Sequence, residues 1–78
     1  MDPVLGMIYT FAGNFAPQNY AMCDGRILPI QQNMALFSIL GTTYGGDGIH
    51  NFALPKLSAP IEGISYIIAT NGIYPSRS

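Results

Sequence analysis

The sequence has one cysteine and one histidine, Cys23 and His50, and these two scarcities exclude the usual staples of a short chain. A single thiol forms no internal disulfide, and one thiol with one imidazole falls short of the four ligands of a structural zinc site. A metal would have to be shared around a symmetry axis, by three copies of His50 or of Cys23, so no metal and no cofactor is expected. Charge is scarce as well. Asp, Glu, Lys and Arg make up 9% of the residues, against about 25% in an average soluble domain. Arg26, Lys56 and Arg77 stand far apart in the chain, whereas phosphate-driven binding needs clustered basic residues, so nucleic acid is not an expected partner. The charge-free stretch 27–46 is interrupted by Pro29, Gln31, Gln32 and Asn33 and does not read as a membrane-spanning helix. Asp2 and Pro3 stand where the basic flank of a secretion signal would begin, which gives the expectation of a chain made in the cytoplasm without a signal peptide.

What is present is a short, apolar chain. Seventy-eight residues make one domain, 1–78, and a domain of that size buries only about 60% of the surface its unfolded chain exposes. With disulfide and metal set aside, oligomerisation is the stabilising device left. Apolar residues make up 49% of the sequence, more than a thin core absorbs, and exposed apolar patches mark interfaces.

Along the chain, the run Gly6–Phe11 is rich in β-formers and reads as a strand covered on both faces. Tyr20–Cys23 stops at Asp24-Gly25, a hairpin signal, and Arg26–Leu28 is expected to return antiparallel to it until Pro29. Gln31–Leu40 reads as the one helix, with Asn33 as a cap, Gly41 just past its end, and Leu36, Phe37, Ile39 and Leu40 pinning it to the sheet. The loop Gly41–Gly48 is rich in glycine but lacks the Lys-Ser or Lys-Thr ending of a phosphate loop; it reads as a tight turn or as a set of backbone N–H groups able to hold an anion. Asn51–Ala53 is a short extended piece, and Ile64–Thr70 is the clearest strand, closed by a turn at Asn71-Gly72. The expected fold is α+β and mostly β, a small sheet with short hairpins and one short helix.

The series Phe11-Ala12-Gly13-Asn14-Phe15-Ala16-Pro17, Cys23-Asp24-Gly25, Leu28-Pro29-Ile30, the helix, Gly41–Gly48 and Phe52-Ala53-Leu54-Pro55 resembles the phage tail collar domain. That family includes microcystin-dependent proteins and phage short tail fibres. Ile73-Tyr74-Pro75-Ser76-Arg77 is similar to the end of many such chains. The link Lys56–Gly63 departs from the pattern, because relatives usually carry a long variable segment there. Tyr20 stands in place of a common Trp, and Lys56 in place of a common acidic residue.

The resemblance implies a structural part of a tail, a tail fibre or a phage-tail-like particle. It further implies a virion component that forms a homotrimer or larger ring and contacts other tail or fibre proteins. Phe15, Tyr20, Tyr66, Ile68 and Tyr74 are the candidate interface residues. A second reading is a ligand-binding module. Thr43, Tyr44, Asp47, His50 and Asn51 offer the aromatic face with amide and carboxylate groups that suits a glycan, and Arg26 and Arg77 suit a nucleotide-like or other anion through forked hydrogen bonds. No catalytic site is expected: Cys23 and His50 are separated by the helix and the Gly-rich loop, and a Cys in a strand is commonly a buried, inert one.

Overall fold

The computed structural model describes residues 3–75. Strands β1 (Ile8–Phe11), β2 (Tyr20–Met22) and β3 (Ile27–Pro29) precede a helix, α1 (Met34–Leu40), which is followed by β4 (Asn51–Ala53) and β5 (Ser65–Ala69). They form two small antiparallel sheets, one in the order β1-β5-β2 and the other pairing β3 with β4. The fold is therefore α+β and mostly β, as the composition of its segments predicts.

The hairpin expected at Asp24-Gly25 does not form. β2 pairs with β5, placing Ala21 opposite Ile68, and β3 pairs with β4, placing Leu28 opposite Phe52. Each flank of the dipeptide thus finds an apolar partner far away in sequence, and burial of those side chains outweighs the local turn preference. The turn chemistry is used differently. Gly25 adopts a positive φ of 82°, and its N–H donates to the Pro55 carbonyl at 3.2 Å while the Leu57 N–H donates to the Cys23 carbonyl at 2.9 Å. Residues 23–26 cross from one sheet to the other along the Pro55–Leu57 segment.

The helix is shorter than the sequence predicts. Asn33 occupies the cap position without making a side-chain cap hydrogen bond; its Nδ2 instead donates back to the Pro29 carbonyl at 3.0 Å. That bond has a second effect, because Pro29 has no N–H to offer and its carbonyl is now taken, which blunts the outer edge of β3. Gly41 stands just past the helix as expected, with its N–H on the Phe37 carbonyl, but its φ of 57° and ψ of −144° lie outside the left-handed helical cap.

Leu5, Ala21, Cys23, Leu36, Phe52, Leu54 and Ile68 form the core, with Leu28, Ile30, Phe37, Leu40 and Tyr66 packed against it. The helix is pinned by Leu36, which is buried, and by Phe37, whose ring lies 5.4 Å from that of Phe52. The first strand departs from expectation. β1 is an edge strand in which Ile8, Tyr9 and Thr10 are exposed, so within one chain it is not covered on both faces.

Candidate functional site

Alternation along a strand assigns the side chains of the three-stranded sheet to two faces. Ala21, Cys23, Tyr66 and Ile68 share the face that meets the core. Tyr9 and Phe11 of β1, Ile67 and Ala69 of β5, and Tyr20 and Met22 of β2 share the other. Ile67 and Ala69 are buried there although they lie outside the core cluster. Their cover is aromatic. The Tyr9 and Tyr20 rings meet edge to face with centroids 5.9 Å apart, and Phe11 meets Phe15 in the same way at 5.7 Å.

The strand side chains that make up this outer face carry no charge. No Asp, Glu, Lys, Arg or His occurs in residues 3–23, the segment that supplies both of its edge strands. Phe15 is 62% exposed, Met7 49% and Tyr9 37%. Natural sheet edges are normally guarded by charge, proline or a covering loop, and β3 has such a guard in Pro29 and Asn33, whereas among the described residues β1 has no charge or proline of its own to guard it. The signal was present in the sequence as the charge-free run 3–23, but only the strand parity and the pairing with β5 show which of its residues share a surface.

The five residues singled out for an interface occupy three different places. Phe15 and Tyr20 belong to the aromatic outer face. Ile68 has no exposed surface and is a core residue, so it offers nothing to a partner, and Tyr66 packs on the same core. Tyr74 is exposed on another side and its hydroxyl shares a hydrogen bond of 2.7 Å with Ser38 Oγ of the helix.

The Gly-rich loop does hold an anion, and the anion is its own. Asp47 Oδ1 accepts the N–H groups of Ile49 at 2.8 Å, His50 at 2.8 Å and Asn51 at 3.0 Å, and the Asp47 N–H donates to Asn51 Oδ1 at 2.9 Å. These bonds, that from Ile49 first, hold the Asp47 carboxyl well below the usual carboxylate range. Asp47 and Asn51 are thus occupied in shaping the loop. Thr43, Tyr44 and His50 remain exposed at its surface. The loop is seated by Gly46, whose φ is 94° and whose Cβ, if it had one, would overlap Phe52 Cα.

Arg26 is also engaged. Its Nε and Nη2 fork onto Asp24 at 3.0 and 2.9 Å, which lowers the Asp24 carboxyl and raises the Arg26 guanidinium through that hydrogen bonding first. The anion-binding fork assigned to Arg26 is filled by its own chain, and Arg77 lies outside the described residues. Cys23 is buried, whereas the His50 side chain is 84% exposed. Among the described residues no three His, Cys, Asp or Glu side chains cluster as a metal site.

One recess was not expected from the sequence. A cleft of about 290 Å³ is lined by Met22, Cys23, Leu57 and Tyr66, with Lys56 and Ser58 beside them. It lies beside the short link that follows Pro55. Among the described residues no helix is long and apolar enough to cross a membrane.

The arrangement is one of packing surfaces and internally satisfied polar groups. No curated protein matches the chain at a significant level. The phage tail collar domain matches residues 6–60, a span that runs from the start of the first strand through both sheets' crossing segments to the link after Pro55, and the chain belongs to the phage tail collar domain family.

Proposed function

We propose that this domain is an assembly module of a phage tail, tail fibre or phage-tail-like particle, that it joins copies of itself in a symmetric homotrimer or larger ring, and that the aromatic outer face of the β1-β5-β2 sheet is the contact surface. Membership of the collar family supports the structural role in a tail. The observation that carries the surface is the charge-free face on which Tyr9, Phe11, Phe15 and Tyr20 stand in two edge-to-face pairs. Interface centres are depleted in charge and enriched in aromatic residues, and this face has both properties without being part of the core. The role is structural and not catalytic, its setting is the virion, and its other partners are neighbouring tail or fibre proteins.

The alternative of a glycan or anion site at the Gly-rich loop has less to work with. Asp47 and Asn51 are spent on the loop backbone and Arg26 on Asp24, which leaves Thr43 and Tyr44, beside a His50 whose Nδ1 lies 3.5 Å from Asp47 Oδ2.

Light scattering on the gel-filtration peak tests the proposal. A mass of three or more chains is expected. A single-chain mass across the accessible concentration range would overturn it.

A further inference from the structure

Three dipeptides in this chain, Asp24-Gly25, Asp47-Gly48 and Asn71-Gly72, carry the sequence in which a backbone nitrogen most readily attacks the preceding side-chain carbonyl, because glycine puts no Cβ in the way. The fold treats them differently. At the first, the Gly25 N–H is bonded to the Pro55 carbonyl and the Asp24 carboxylate is clamped by Arg26. At the second, the Gly48 N–H is bonded to the Asn51 carbonyl and the Asp47 carboxylate holds three backbone N–H groups. At the third, both residues are exposed. Among the described residues neither the Gly72 N–H nor the Asn71 carboxamide has a hydrogen-bond partner. Among the described residues, this is the pair of the three whose glycine N–H and side chain are not held by a hydrogen bond.

We propose that Asn71 is a self-modification site. Hydroxide takes the Gly72 amide proton, and the Gly72 nitrogen attacks Asn71 Cγ. The new N–Cγ bond closes a succinimide as the Cγ–Nδ2 bond breaks, and the nitrogen leaves as ammonia with a proton from water. A second water then opens the ring at either carbonyl, giving an aspartyl or an isoaspartyl residue.

The position gives the reaction a structural consequence. Gly72, at φ 144°, lies so close to Pro3 that a Cβ would overlap the Pro3 carbonyl oxygen. The Ile73 N–H donates to that carbonyl, and the Ile73 carbonyl accepts the Leu5 N–H, both at 2.8 Å. Leu5 belongs to the core. An isoaspartyl link routes the main chain through Cβ and Cγ, which adds a carbon just before this clasp and displaces Ile73 from the N-terminal segment. The turn is a slow chemical timer on the fastening of the N-terminus.

The test is incubation of the folded chain in mildly alkaline buffer, followed by peptide mapping with fragmentation that separates aspartyl from isoaspartyl. The expected result is the mass gain of an amide becoming an acid in the peptide holding Asn71-Gly72, with aspartyl and isoaspartyl forms both present. The unfolded chain in urea is expected to react at Asn71 as well, and to form isoaspartate at residues 24 and 47 only in mildly acidic buffer, where the protonated carboxyl can lose water. In the modified protein the Leu5 and Ile73 amides are expected to exchange hydrogen at least about tenfold faster, while the Cys23 and Leu54 amides keep their protection. Asn71→Ser removes the mass gain and keeps the clasp. An unmodified Asn71 in the folded chain under conditions where the unfolded chain reacts would overturn the proposal. Unchanged exchange at Leu5 in the modified protein would overturn the timer.

Discussion

The Tyr9 and Tyr20 rings meet edge to face across β5, at 5.9 Å between centroids, over Ile67 and Ala69, which the core on the other side of the sheet does not reach. A chain this small thus builds a second apolar layer and leaves its upper surface to solvent. A lone domain gains little from such an arrangement, since an edge-to-face pair is worth only about 0.5–1.5 kcal/mol beyond its buried area. The layer makes sense as half of an interface.

Phe15 separates the two possibilities, because it is mostly exposed and touches the fold through Phe11. Phe15→Asp is expected to leave the far-ultraviolet circular dichroism and the cooperativity of unfolding intact while costing association about 2 kcal/mol or more. The measurement is the mass by light scattering at several concentrations. A folded variant with the wild-type mass would remove Phe15 from the contact surface.

Gly46 gives a test of the loop seat. Gly46→Ala forces a Cβ into the Phe52 backbone at a positive φ, and Phe52 is fully buried, so the expected loss is more than about 2 kcal/mol. Gly41 is the control for backbone strain alone: its φ of 57° and ψ of −144° suit glycine, but a Cβ there meets nothing within 4 Å, and Gly41→Ala is expected to cost about 1–3 kcal/mol, less than Gly46→Ala, which adds the overlap with Phe52. Urea midpoints at equal m-values report both, and equal losses would show that close approach to Phe52 contributes nothing.

These outcomes bear on what was legible beforehand. The strand at Ser65–Ala69, the piece Asn51–Ala53 and the helix end at Gly41 follow from side-chain type and local breakers, which are properties of neighbours in sequence. The Asp24-Gly25 hairpin failed because pairing is decided by distant partners, Ile68 for Ala21 and Phe52 for Leu28. The ligand inventory was misleading for a related reason. Asp47, Asn51 and Arg26 look available in a list of polar residues, and only the folded loop shows their hydrogen bonds to be already made. Phe15 and Tyr20 could be picked as aromatic, but their sharing a face with each other and not with Ile68 depends on strand parity.

The Asp47 carboxylate predicts an acid limb in the stability curve. Its folded carboxyl titrates below the ordinary range, so its contribution is present above the unfolded value of about 3.9 and is lost as the pH falls from there through the folded value. Asp24 is shifted in the same direction, so the comparison has to be made against a variant. Asp47→Asn is expected to be less stable than wild type at neutral pH, with the two curves converging below about pH 4. A gap that stays constant from neutral to acid pH would assign the loss to shape rather than to the charge held by Ile49, His50 and Asn51.

Cys23 provides an internal reporter at the other end of the pH scale. Its side chain is buried, and burial first, with the Asp24 charge second, pushes the thiol up. Only the thiolate reacts with an alkylating reagent, so both access and ionisation are withheld in the folded state. Iodoacetamide is expected to label the native chain at least about 100-fold more slowly than the chain in urea, with a native rate that follows the opening equilibrium. The same shift has a stability sign. The unfolded thiol ionises first, so its contribution is full below about pH 8.5 and is lost as the pH rises through the folded value. Cys23→Ala is therefore expected to be less stable than wild type at neutral pH, because it leaves a small void among Leu5, Leu54 and Ile68, and to close part of that gap in alkaline buffer. Rapid labelling of the native chain would show instead that the cleft beside Lys56 and Leu57 opens onto the sulfur, and would make that cleft the reactive surface of the domain.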